Sequence, residues 1–290
     1  MQLVRLGTLC NNACVFCAQA PERARGGESP SDQVVRASIA EAAASGDVVA
    51  FVGGEPTLHA ALATWVQLAR THGASSVVLQ TNARRLAYAA YARDLHAAGL
   101  AAADVSLHGS TEAMHDYHTG TAGSFAQTVR GMKHARAAGL VVLATCVVTR
   151  SNYRNLPDIV RIAHAAGASA IRFRSPAVLG PVTQIPLRIV PRTPLVEPYL
   201  RQARTAADRL GMLSFLVGAA RDSQLPFVDY LAEGAEASLQ QPPVLAPSAV
   251  APAGRARPAT TEQRGRDVKS GPELRRILPV LFTPRSDGER

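Results

Sequence analysis

The sequence has almost no lysine: of its 31 basic residues only Lys133 and Lys269 are lysines, the rest arginines. Aromatic residues make up 5% of the chain and tryptophan occurs once. No run approaches the roughly 20 apolar residues that span a bilayer, so no membrane partner is expected. The opening residues, MQLVRLGTLCNNACVFC, carry no basic stretch followed by a long apolar one. A secretory signal is therefore not expected, and a cytoplasmic location is. Dense basic runs with interleaved aromatics are missing too. Nine basic and five acidic side chains in the last fifty residues place nearly half of the net charge of +9 in the tail, a footprint that does not point to nucleic acid. Cysteine is scarce, with Cys10, Cys14, Cys17 and Cys146 alone, and without a secretory context four cysteines do not make a disulfide framework.

What is present is 47% apolar and 18% charged residues in a chain of 290, ample for a buried core in one or two units. From residue 2 to residue 175 short β-rich runs alternate with longer stretches of helical spacing. The runs are Leu3–Leu6, Val48–Val52, Val77–Thr81, Val105–His108, Val141–Thr149 and Ile171–Phe173. Between them Gly46, Gly73, Gly99, Gly139 and Gly167 read as helix stops. Six strands alternating with five helices predict βα units, a parallel sheet and right-handed crossovers. After Ser175 the rhythm breaks. Six prolines over 176–198 predict an extended connection, followed by a helix with Leu200, Ala203, Ala207 and Leu210 on one face and a strand at Leu213–Val217. Residues 240–272 have linker composition, and a short helix is expected around Glu273–Leu278.

Three cysteines crowd into Cys10-Asn-Asn-Ala-Cys14-Val-Phe-Cys17, a CxxxCxxC triplet directly after the first strand. Thiolates are the usual ligands of iron–sulfur clusters. A cubane held by three of them leaves one iron open to a small molecule. Zinc is the alternative, although it asks for a fourth ligand and no nearby His or Cys has the usual paired spacing. The next strand runs into Gly53-Gly54-Glu55-Pro56-Thr57. Two glycines at a strand end let a ligand approach the backbone, Glu55 offers a carboxylate to an ammonium group, and Pro56 fixes the turn. Alone, this could be an ordinary βα turn.

Together, Cys10, Cys14, Phe16 and Cys17, the Gly53–Pro56 turn and the βα order of residues 1–180 resemble the radical S-adenosylmethionine superfamily. The resemblance implies an α/β fold of the partial (β/α)6 TIM-type barrel over 1–180, and the residues beyond it predict a short α/β extension at 181–239 and a mostly disordered Pro/Ala/Arg-rich tail at 240–290. It also implies one 4Fe–4S cluster on Cys10, Cys14 and Cys17, whose fourth iron binds the amino and carboxylate groups of S-adenosylmethionine. Gly53, Gly54, Glu55 and Pro56 fall to the cofactor site. Residues 271–277 are similar to the start of a cluster-binding extension, but Leu274 and Ile277 stand where cysteines would be expected, so no auxiliary cluster is predicted.

Strand parity selects the side chains facing a barrel interior. In Asp104-Val-Ser106-Leu-His108 the polar 104, 106 and 108 share one face, while Val105 and Leu107 face helices. Gln80 lies with Asn82, and Arg172 with Arg174. Active sites of such barrels sit at the C-terminal strand ends, which makes Asn82, Ser106, His108, Arg150 and Arg174 candidates for the mouth, with Asn82, His108 and Arg174 as candidate catalytic groups. The resemblance implies that Ser106 contacts the ribose or methionine of the cofactor, that Arg150 neutralises its carboxylate and that Phe16 lies near the adenine. Local backbone bonding for Ser106 and a rim salt bridge for Arg150 are the plain alternatives. His72, His96, His134 and His164 fall near helix C-termini and read as surface. His115 and His118 read as part of a glycine-rich loop after strand four, either a lid over the mouth or a solvated loop. Cys146 reads as a buried small apolar residue.

The implied activity is reductive cleavage of S-adenosylmethionine to a 5′-deoxyadenosyl radical that abstracts hydrogen from a second substrate, with a flavodoxin- or ferredoxin-type protein as electron donor. Peptide modification and small-molecule or cofactor biosynthesis are both open. The alternative reading is a catalytically degenerate iron–sulfur or zinc binding module.

Overall fold

Seven strands, each laid beside its predecessor, form one parallel sheet in the computed structural model of the chain, which describes residues 1–27, 29–177 and 180–217. The strands are β1 (Gln2–Arg5), β2 (Val48–Val52), β3 (Ser76–Thr81), β4 (Ala102–Ser106), β5 (Val141–Val147), β6 (Ala170–Arg174) and β7 (Leu213–Val217). The helices are α1 (Ala20–Ala24), α2 (Asp32–Ala44), α3 (Leu62–Thr71), α4 (Ala89–Ala97), α5 (Glu112–Thr119), α6 (Ser124–Ala137), α7 (Leu156–Ala165), α8 (Pro181–Gln184), α9 (Pro186–Ile189) and α10 (Thr193–Arg209). Strand order equals chain order, and the sheet curves as the expected partial barrel does.

The pattern of side chains explains the layers. β2 reads Val-Val-Ala-Phe-Val and is buried along its whole length, as a parallel strand covered on both faces must be. One set of side chains, including Phe51, Leu79, Val105, Leu107, Ile171 and Phe173, meets the helices. The alternate set, including Val48, Ala50, Val78, Ala102, Leu143 and Ala170, fills the barrel floor. The parity read from the sequence is therefore the parity of the fold. α7 turns an apolar stripe inward with Leu156, Ile159, Val160 and Ala163. The five glycines expected to stop helices all take positive φ.

Three expectations are corrected. The fourth strand starts at Ala102, earlier than Val105, because two alanines of low β-propensity are carried into the sheet by pairing with Val141 and Val142. The stretch 176–198 is not extended throughout: α8 and α9 occupy it and α10 begins at Thr193. Proline at a helix start costs nothing, and these helices each have one in their first turn, while Pro198 lies inside α10. Finally, His115 and His118 belong to a helix and not to a loop. Thr111 caps α5 by accepting from the Met114 N–H, Glu112 stands in the first turn, and Gly120 closes it at φ 62°.

The boundary expected at residue 180 is crossed by the sheet itself, since β7 pairs in register with β6 and α10 packs on α7. The rest of the extension, the tail at 240–290, the helix expected at Glu273–Leu278 and the segment with Leu274 and Ile277 lie outside the described residues. Among the described residues no helix is long and apolar enough to cross a membrane.

Candidate active site

Parallel strands deliver their following loops to one end of the sheet, and the loop between β1 and α1 carries Cys10, Cys14 and Cys17 there. It is held from four sides. The turn after β2 donates from Gly54 N to Gly7 O at 2.8 Å and from Glu55 N to Leu9 O at 2.7 Å. Asn82 Nδ2, at the end of β3, donates to Asn11 Oδ1 at 2.7 Å. Arg84 donates to Asn11 O and, at 2.9 Å, to Asn12 Oδ1, and its own fork is fixed by Gln127 Oε1 on α6 at 2.6 Å. The C-terminal carbonyls of α5 complete the grip, with Thr119 O accepting from Ala13 N at 2.8 Å and His118 O from Val15 N at 3.0 Å. A helix end leaves such carbonyls without intrahelical partners, and the loop supplies the donors.

The donor set fits an iron–sulfur cluster. All three thiols are free and half-buried. Burial, then the charges of Cys17 and Cys10, push the Cys14 thiol up to about 12, and burial likewise raises Cys10. Three sulfurs that feel one another's charge in a partly dry pocket are stable as thiolates only around a cation. A structural zinc site draws four ligands to one centre, and the loop supplies three thiols. The zinc alternative is thus less well matched than a polynuclear cluster, in which each thiolate takes its own iron.

The Gly-Gly-Glu-Pro turn works differently from its reading in the sequence. A Cβ on Gly53 would stand 2.7 Å from Gly7 O, and one on Gly54 only 2.1 Å from Leu9 O. The glycines therefore admit the cysteine loop itself. Glu55 is 1% exposed. Its Oε1 accepts from Thr57 N, Thr57 Oγ1 and Thr81 Oγ1, and its Oε2 from Asn82 N at 2.7 Å. The carboxylate expected to face an ammonium group is instead spent on tying β2 to β3 and orienting Asn82. Desolvation pushes its pKa up against these four donors. Pro56 opens the short 3-10 turn that Glu55 caps.

Above the apolar barrel floor lies a polar layer. Arg172 pairs with Asp104, and Thr145 Oγ1 donates to Asp104 Oδ1 at 2.6 Å while accepting from Arg172. One register step further toward the mouth stand Ser106, beside Thr145, and Arg174, beside Val147, both half-buried. Arg150 is exposed, its guanidinium donating to Leu187 O and its main chain to Ile189 O. It sits on the rim, against α9.

A cluster of imidazoles joins β4, β5 and α5. His108 is 3% exposed and His115 and His118 are fully buried, so the lid and solvated-loop readings both fall. Val147 N donates to His108 Nδ1 at 3.3 Å, and His108 N donates to His115 Nδ1 at 3.2 Å. An amide can only donate, so in both rings Nδ1 is bare and the proton is on Nε2. His118 has the opposite tautomer: Nδ1 donates to Met114 O at 2.6 Å and Nε2 accepts from Thr149 Oγ1 at 2.7 Å. Asn152 Nδ2 binds the carbonyls of His108 and Val147. Phe16 meets His108 edge-on at 4.8 Å between centroids and leans on Val182, Ile189 and Val190. Sequence reasoning missed Arg84, Asn11, Thr149 and Asn152. The one local signal near Arg84 is conformational: Ala83 takes φ 60°, which a sequence does not display. Of the remaining predictions, Cys146 is fully buried and His72, His96 and His164 are exposed, while His134 is half-buried.

A family model described as the Radical SAM superfamily matches residues 4–163. Among curated proteins, an AdoMet-dependent heme synthase of Nitratidesulfovibrio vulgaris is 27% identical over 162 residues, covering 56% of this chain and 44% of that protein. A PqqA peptide cyclase of Rhodopseudomonas palustris is 28% identical over 214 residues, covering 72% and 55%. The chain spans about half the length of the curated relatives it matches. Of solved structures, Streptococcus suis SuiB bound to S-adenosylmethionine superposes with a TM-score of 0.58 at 14% identity, over 80% of this chain and 52% of that one, a likeness of fold.

Proposed function

The chain belongs to the radical S-adenosylmethionine superfamily, and from that premise we propose that it is an enzyme that starts radical chemistry on a second substrate. The family's cofactors are a 4Fe–4S cluster and S-adenosylmethionine, and the observation that carries their placement here is the three-thiol loop clamped from four sides. Cys10, Cys14 and Cys17 would hold the cluster, which would supply one-electron chemistry for reductive cleavage of S-adenosylmethionine to a 5′-deoxyadenosyl radical.

The chain's own residues hold, orient and exclude. Gly53 and Gly54 seat the cysteine loop on the turn after β2. Glu55 and Pro56 hold that turn, and Glu55 fixes Asn82, which fixes Asn11. Ser106 and Arg174, at the mouth end of the barrel face, are placed to meet the polar groups of a bound cofactor or substrate, with Arg174 suited to a carboxylate. His108 brings a neutral imidazole whose Nε2 keeps a proton to donate. Phe16 and the α8–α9 cover close one flank of the loop against water, which protects reactive species. Arg150 serves the rim.

The second substrate is a peptide or a small molecule. The match to a peptide cyclase, which covers 72% of this chain, supports a peptide. The proposal includes a one-electron donor protein of the flavodoxin or ferredoxin class and a cytoplasmic setting, in keeping with free thiols at all four cysteines. The test is anaerobic reconstitution with iron and sulfide, addition of dithionite and S-adenosylmethionine, and mass analysis. Formation of 5′-deoxyadenosine is expected. A reconstituted chain that binds iron but forms none would overturn the proposal in favour of a degenerate module.

A further inference from the structure

An open cleft of about 610 Å³ lies against the cysteine loop on its β3 side, walled by Asn11, Arg84, Arg85, Tyr88, Gln127 and Arg130. Three guanidinium groups line it and no carboxylate does. Among the described residues none of the three arginines is in a salt bridge, and Arg85, Arg130 and Tyr88 stand exposed, Tyr88 at 71%. Such a one-signed concave wall attracts negative charge from solution.

Its position matters more than its charge. Asn11 is the residue after Cys10, so one wall of the cleft is the cysteine loop. Elsewhere the loop is partly covered, although the Leu9 side chain is 51% exposed. Phe16 lies under Val182, Ile189 and Val190, the amides of Ala13 and Val15 are covered by α5, and Leu9 and Gly7 are against the turn after β2. The β3 side is the flank on which an open cleft of one charge sign meets the loop. Among the described residues the only cysteine outside the triplet is Cys146, which is buried in β5, so the described chain offers no internal cluster to pass electrons inward from a distance.

We propose that the rim formed by Arg85, Tyr88 and Arg130 is the docking surface for an acidic one-electron donor protein, placed to deliver its electron beside Cys10. This rests on the function proposed above. The step is a single electron transfer: the donor is oxidised by one electron, the cluster is reduced by one, and no bond forms or breaks. Redox encounters of this kind bury small interfaces and depend on charge for their on-rate, so two arginines at the rim are enough to govern it.

The experiment compares wild-type protein with the Arg85→Glu/Arg130→Glu and Arg85→Lys/Arg130→Lys variants, all reconstituted anaerobically. Stopped-flow bleaching of the cluster follows reduction by a reduced acidic flavodoxin, and in parallel by dithionite, which needs no docking. Calorimetry with the oxidised flavodoxin measures binding independently of turnover. Charge reversal should slow reduction by flavodoxin by about tenfold or more at low ionic strength, weaken binding in step, and lose its effect in high salt as charges are screened. The lysine variant and all dithionite rates should match wild type. Equal flavodoxin rates for wild type and the reversed variant, with dithionite reducing both, would overturn the docking surface alone. A lysine variant as slow as the glutamate one would overturn it too, because charge would not be the cause. Protein that dithionite cannot reduce would overturn the proposed function and the docking with it.

Discussion

Acid should release the anchor of α5, and His115 sets how far. Burial brings its pKa down to about 4 from the ordinary 6.5, with Asp116 opposing and His118 adding to the effect. The geometry supplies the reason. The only ring nitrogen open to a second proton is Nδ1, and that atom already receives the His108 N–H. The unfolded chain binds a proton below about pH 6.5 while the folded one refuses it until about 4, so stability is complete above the upper value and falls as pH drops through the window. A difference of about 2.5 units at 1.36 kcal/mol each is about 3 kcal/mol, out of a total of about 5–15 kcal/mol for a typical domain. His108 and His118, both also lowered by burial first, push in the same direction. The assay is urea unfolding followed by circular dichroism from pH 7.5 to 4.5. His115→Asn keeps an acceptor oxygen for the His108 amide and removes the titration, so its stability should fall less than that of wild type across the window by most of those 3 kcal/mol. Parallel stability curves for the two proteins would refute the reasoning.

Other outcomes follow from the site. Changing any of Cys10, Cys14 or Cys17 to Ser should abolish the brown chromophore near about 400 nm, whereas Cys146→Ala should keep it; absorbance and iron analysis decide. Asp104→Ala removes the carboxylate that Arg172 faces and should cost about 3–5 kcal/mol in urea unfolding, while the apolar double change Asp104→Leu/Arg172→Met should cost much less. Gly54→Ala puts a methyl into the Leu9 backbone, which cannot move aside as a side chain would, and should lower stability by about 1–3 kcal/mol together with iron retention on desalting. Arg84→Ala strips the donors from Asn11 O and Asn12 Oδ1 and should speed iron loss to a chelator with unchanged far-UV circular dichroism, with Arg84→Lys in between.

Much of this was open to reading in the sequence. β2 falls where its apolar run lies, because a parallel strand buried on both faces leaves a continuous apolar signature, and β7 keeps its expected bounds although Leu213 is exposed and Ser214, Phe215 and Leu216 are half-buried. Parity along Asp104-Val-Ser106-Leu sorted inward from outward side chains correctly, since the pleat leaves no choice. The cysteine triplet and the glycine turn stood out because their chemistry needs those residue types. α5 was harder. Its capping Thr111 and closing Gly120 were visible, but Glu-Ala-Met-His-Asp-Tyr-His-Thr shows little apolar periodicity, because its buried face is built from imidazoles that tertiary hydrogen bonds satisfy. The clamps on the cysteine loop were illegible for a simpler reason. Their acceptors are mostly main-chain oxygens, of Gly7, Leu9, Asn11, His118 and Thr119, and a carbonyl leaves no mark in a sequence. Glu55 misled because a carboxylate at a strand end looks like a ligand until its four donors are seen.

The clamps also impose an order on synthesis. The cysteine loop is made before its clamps: Asn82 and Arg84 lie 71 to 73 residues beyond the asparagines they grip, and the carbonyls of His118 and Thr119 come later still. Translation at about 5–20 residues per second puts roughly 5–20 s between the emergence of Cys10 and that of Thr119. For that interval three thiols are present without the frame that spaces them, exposed to oxidation and to stray metal ions. Loading of a cluster therefore belongs after α5 has folded, and a nascent chain stalled near residue 100 would hold all three cysteines with the last of their clamps still unmade.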